Sequence, residues 1–136
     1  MLWKDNGGGD YEQAPVGTHI ARCVRLIDIG TQEGEYEGRK NSRRQVVVGW
    51  ELPDELMTKG ESAGQPFLVT RFYTQSLGEK ATLRKDLVTW RGRDFTPDEL
   101  EGFDAKNILG VACLLSITAN DNGKSRVSGV MKLPKG

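Results

Sequence analysis

One change of period constrains this 136-residue chain more than any other feature. Over residues 76–93, SLGEKATLRKDLVTWRGR, the apolar positions Leu77, Ala81, Leu83, Leu87 and Trp90 recur at helical spacing. The other apolar runs read as strands. Three precede the helix: His19 to Ile29, Arg43 to Leu52 and Pro66 to Thr74. Two follow it: Ile108 to Ala119, the most apolar and so expected to be central, and Lys124 to Leu133. The predicted order is β-β-β-α-β-β. The 17 glycines and an apolar content of 37% fit a loop-rich β protein better than a helical bundle.

Punctuation supports these elements. Ser76 with Glu79 three residues later has capping-box spacing, and Gly92 is placed to stop the helix. Thr96 followed by Pro97 predicts a short second helical turn. Pro53 is expected to end the second strand, because proline cannot donate to a ladder. Asn120 to Gly123, NDNG, signals a tight hairpin. Gly30 to Ser42 reads as a long loop, and residues 1–17 as a flexible start ahead of a single domain over 18–136. A mainly β chain with five strands and one α-helix between strands 3 and 4 has the element order of an oligonucleotide/oligosaccharide-binding (OB) barrel. In such barrels the loops joining strands 1 to 2 and 4 to 5 flank the ligand groove.

Several classes of function are disfavoured. No apolar run approaches the ~20 residues that span a membrane, and the N-terminus MLWKDNGGGD lacks the pattern of a secretory signal. A cytoplasmic, bacterial-type setting is the expectation. Cys23 and Cys113 lie in strand-like runs and read as reduced, buried thiols. With one histidine and no C-x-x-C, a zinc site is not expected. No phosphate-binding, dinucleotide-binding or nucleophile-elbow motif occurs. His19 has no nucleophile or metal partner in view, and Asp98, Glu99, Glu101 and Asp104 read as one solvated face. The chain is therefore not expected to be an enzyme, nor to need a metal or cofactor.

Binding is better supported. Formal net charge is zero, yet charge is segregated: residues 36–50 carry four cations and one anion, and residues 71–93 six and two. Single-stranded nucleic acid is held by cations that track phosphates and by aromatic faces that stack on bases. Tyr36, Arg39, Lys40, Arg43 and Arg44 mark the first long loop, and Lys124 and Arg126 the last hairpin. Trp50 offers an aromatic on strand 2, although it shares a face with Val46 and Val48 and so reads as core as well. On strand 3, Phe72 and Tyr73 must point to opposite faces. Arg71 and Tyr73 are taken as outward, because arginine is rarely buried unpaired.

These stretches, APVGTHIARCVRLIDIGT, GRKNSRRQVVVGWEL, RFYTQSLGEKATLRKDLVTWRGRDFT and NILGVACLLSI with its closing hairpin, resemble small OB-fold single-stranded DNA-binding proteins of bacteriophages and prophages. The resemblance runs from about Ala14 to Lys132 and is one of pattern, without an invariant motif. It implies non-sequence-specific coating of single-stranded DNA during phage replication or recombination, with phage replication or recombination proteins as partners and a homo-oligomer allowed. Many such proteins carry an acidic C-terminal tail that recruits partners; the basic VMKLPKG of this sequence departs from that pattern. The competing expectation, favoured by zero net charge, is an OB-fold adaptor that binds protein in a phage complex and not nucleic acid.

Overall fold

A computed structural model of the protein describes residues 12–36 and 38–134; for residues 32, 34–36 and 39–41 it describes the backbone alone. Five strands, β1 (Gly17–Tyr36), β2 (Arg39–Leu56), β3 (Pro66–Thr74), β4 (Ala112–Ala119) and β5 (Ser125–Met131), form one antiparallel sheet in the order β3-β2-β1-β4-β5. Between β3 and β4 lie the helix α1 (Thr82–Arg91) and a single helical turn, α2 (Pro97–Glu101).

β1 is long because it serves two neighbours. Its first part, Gly17 to Arg22, pairs with β4, and the part from Arg22 to Tyr36 pairs with β2. Register shifts at Cys23/Arg25 and Asp28/Gly30 bend it. At the second shift Gly30 has φ +75°, and the Asp28 carboxylate accepts the Gly30 N–H at 2.8 Å. The expected loop over residues 30–42 is thus mostly ladder: β1 and β2 stay paired out to Tyr36↔Arg39. Alternation along these polar residues was masked by their charge. Pro53 does not end β2. It falls where the ladder skips from Leu52↔Phe67 to Leu56↔Pro66, a break in which its missing N–H costs nothing.

α1 begins later than Ser76 suggested. The Ser76 hydroxyl accepts the Gly78 N–H at 3.1 Å in a local turn, and the helix starts at Thr82 after Ala81, with no side-chain cap. Gly78 makes helical extension through that stretch unfavourable. Gly92 does end α1, and Thr96 with Glu99 forms the full capping box of α2. A 3-10 turn over Ala105–Ile108 occupies the expected start of β4.

The inner face of the sheet and one side of α1 make the core. Trp50, Leu52, Leu115, Ile117, Val48, Val130, Cys23 and Cys113 are fully enclosed. Trp50 meets Trp90 of α1 at 6.0 Å between ring centroids, and Trp90 Nε1–H donates to the Ala112 carbonyl. Both cysteines are free, as expected.

The expected barrel is not closed by hydrogen bonds, since no ladder joins the edge strands β3 and β5. α1 holds both edges instead. Its Asp86 accepts from Arg71 and Tyr73 of β3, while its Thr89 hydroxyl donates to Val130 O of β5 and its Thr89 carbonyl accepts Lys132 N–H. At the other end residues 12–14 are tied down. Glu12 accepts the Thr58 and Lys59 N–H groups, Ser125 N–H donates to Gln13, the Ser125 hydroxyl donates to Ala14 O, and Ala14 is buried. The expected flexible start over residues 1–17 is therefore corrected for residues 12–14; residues 1–11 lie outside the described residues. Among the described residues no helix is long and apolar enough to cross a membrane.

Candidate functional site

Side chains alternate across a strand, so cross-strand register states what shares a face. On the outer face of β3, β2 and β1, Phe72 lies opposite Val47, which lies opposite Ile27. The next row is Thr70, Gly49 and Arg25, and the one beyond it Leu68, Glu51 and Arg22. Phe72 is 62% exposed, Ile27 46% and Leu68 41%. Gly49 leaves room for its neighbours: a Cβ there would come within 3.1 Å of Arg25 Cβ. An apolar shelf that ends in an exposed aromatic is thus bordered by cations. Arg25 lies on one side and Arg43, two residues before Gln45 on β2, on the other; neither has an ion-pair partner among the described residues.

The sequence-predicted residues divide on this frame. Arg43 belongs to the outer face. Arg126 is exposed and lies across a shallow gap from Leu68 and Thr70. Lys124 is exposed on the β4–β5 hairpin, far along the chain from the Phe72 row. Arg44 takes the opposite side of β2 and pairs with Asp28 at 2.6 Å, so the cations of the first hairpin do not all converge. The guanidinium hydrogen bond, and then the Gly30 N–H, hold the Asp28 carboxyl below its usual range. The side chains of Tyr36, Arg39 and Lys40 lie outside the described residues; their backbones carry the end of the β1–β2 ladder.

Two expected stacking residues are corrected. Trp50 is 1% exposed, sealed between the sheet and Trp90, and cannot meet a base. Tyr73 is 3% exposed and points inward, with its hydroxyl on Asp86 at 2.6 Å. Arg71 shares that inner side. Asp86 binds it at 2.9 Å, and its guanidinium lies 5.4 Å from the centroid of the Tyr73 ring. The rule that arginine avoids unpaired burial held; the partner was a residue of α1, thirteen positions beyond Tyr73, that strand reasoning did not supply. The face assignment of β3 therefore inverts, and Phe72 is the outward aromatic. A signal was present: Thr70 and Thr74 alternate with Phe72, whereas Phe67 and Val69 alternate with Tyr73. Arg22 and Arg25, which interrupt the first strand, were the other missed members of the face.

Other clusters are structural. His19 Nε2–H donates to Pro15 O, with Glu55 3.6 Å from Nδ1. Arg91 stacks on Phe95 and Phe103 and pairs with Glu99 at 2.5 Å. A cavity of about 480 Å³ at one end of the core is lined by Leu26, Val46, Leu83, Leu87 and Phe103; Asp28 at its mouth is already held by Arg44. Among the described residues no group of His, Cys, Asp and Glu is placed to hold a metal ion. In comparison with known proteins, the chain matches no family model, no curated protein and no solved structure.

Proposed function

We propose that this chain binds single-stranded DNA with little sequence preference on the outer face of β1, β2 and β3. The observation that carries the reading is Phe72: a large aromatic, 62% exposed, that ends an apolar row and has beside it the cations Arg25 and Arg43, neither ion-paired among the described residues. A base stacked on such a ring gains about 1–3 kcal/mol whatever its identity, and the cations meet phosphates. Zero net charge is no obstacle, because Arg25 and Arg43 lie on one face and set the potential there. In this reading the fold is an OB-type barrel in which α1 and residues 12–14 bridge the β3 and β5 edges in place of a ladder. The resemblance to phage single-stranded DNA-binding proteins adds a setting: coating of exposed strands in the host cytoplasm during replication or recombination.

Fluorescence anisotropy of a labelled dT strand of about 30 nucleotides, titrated at about 50 and 200 mM salt beside a duplex control, tests it. Binding confined to the single strand and weakened steeply by salt is expected. Absence of binding at low salt would sink the reading. The second reading, a protein-binding adaptor, is favoured by a further apolar row across β1, β4 and β5, in which Ile20 and Met131 are exposed and Leu114 between them is half-buried. It predicts capture of a protein partner with no effect of added dT.

A further inference from the structure

The Phe72 row opens at one end into a groove of about 620 Å³ between the end of β3 and the start of α1. Three cations line it, Arg43, Arg71 and Lys80, and Phe72 forms part of its wall; among the described residues no carboxylate lines it. Arg43 and Lys80 have no ion-pair partner among the described residues. Arg71 spends Nη1 on Asp86 and keeps its remaining N–H donors. Cations gathered in a concave site without anions present a local positive potential that net charge does not reveal.

We propose that this groove receives a phosphodiester of the bound strand, so that the strand runs off the sheet over the end of β3 and alongside the start of α1. The inference rests on the proposed binding of single-stranded DNA and extends it to a path. Because Phe72 belongs to both the apolar row and the groove wall, a base stacked on its ring brings the neighbouring phosphates to Arg43 and Lys80 with no gap between the two subsites. The path differs from the one expected from sequence, in which Lys124 and Arg126 of the β4–β5 hairpin supply the second flank.

Lys80 is the residue to change, since it is exposed and makes no hydrogen bond or ion pair among the described residues, whereas loss of Arg71 would also strip Asp86. Binding of the labelled dT strand by the full chain is measured across about 50–200 mM salt for Lys80→Ala, Lys80→Glu and Lys124→Ala, with circular dichroism to confirm folding. Lys80→Ala is expected to weaken binding about 3- to 10-fold and to reduce the salt slope by about 0.7, the value of one phosphate on a single strand. Lys80→Glu should weaken it further, and Lys124→Ala less than about 2-fold. Wild-type binding that both Lys80 variants reproduce, slope included, overturns the path and leaves the outer face standing. A wild type that binds no strand at all overturns both.

Discussion

The Tyr73 hydroxyl donates to Asp86 at 2.6 Å, and through that bond α1 determines which of two adjacent aromatics on β3 meets solvent. Arg71 reaches the same carboxylate oxygen at 2.9 Å. Burial, and next the hydrogen bond to Asp86, push the Tyr73 hydroxyl well above its ordinary value of 10.0, so it stays protonated and donating at any working pH. With Tyr73 and Arg71 both satisfied inside, Phe72 is left outside.

Removal of this clamp should cost stability in proportion to what is orphaned. Asp86→Ala strands the Tyr73 hydroxyl and the Arg71 guanidinium and should destabilise the fold by about 2–4 kcal/mol in urea denaturation. Tyr73→Phe removes one donor while Arg71 still serves the carboxylate, and should cost about 1–2 kcal/mol. If both variants unfold at the wild-type midpoint, α1 does not hold the β3 edge.

Phe72→Ala separates binding from folding. The side chain is exposed, and its cross-strand contact with Val47 is worth under about 1 kcal/mol. Loss of one base stack should weaken dT binding roughly 5- to 150-fold. Unchanged affinity with an intact fold would remove Phe72 from the site.

Arg43 and Arg44 are neighbours in sequence on opposite faces of β2. Arg43→Ala should weaken dT binding and lower the salt slope. Arg44→Ala should leave binding within about 2-fold of wild type and change the melting temperature little, because its pair with Asp28 is exposed to solvent. Equal loss of affinity in the two variants would mean that the strand wraps both sides of the hairpin.

Four carboxylates set the acid limit. Backbone N–H groups, of Thr58 for Glu12, of Phe95 for Asp94 and of Thr96 for Glu99, hold those three below their ordinary values, and Arg44 does the same for Asp28. Groups depressed in the folded state favour it while they remain ionised, above the unfolded values of 3.8 for Asp and 4.5 for Glu. Stability should therefore be level from about pH 7 to 5.5 and fall as pH drops through the ordinary carboxylate range and below it. Thermal melts between pH 7 and 3 check this, and a melting temperature that rises on acidification contradicts it.

The two thiols should be inert until the chain opens. Burial raises both, and Cys113, which also faces Cys23, is pushed up to about 12. Maleimide labelling of the native protein at pH 7.5 should proceed only at the rate of unfolding, and in urea both sites should react at once. Rapid labelling of the folded chain would show that the core is not sealed there.

What the sequence determined by itself was local. Period and punctuation located five strands and the helix: β3 runs over the predicted Pro66 to Thr74, Gly92 stops α1, and Thr96 with Glu99 caps α2. These features depend on residues a few positions apart, whose spacing is covalent. Tertiary structure decided what depends on residues far apart. Asp86 of α1 inverted the faces of β3, Trp90 of α1 closed over Trp50, and Asp28 of β1 took Arg44 into an ion pair. The β3 and β5 edges are spanned through Asp86 and Thr89, a bridge no strand pattern encodes. Alternation states that neighbours on a strand face opposite ways; which way is core is decided by partners that only the folded chain brings near.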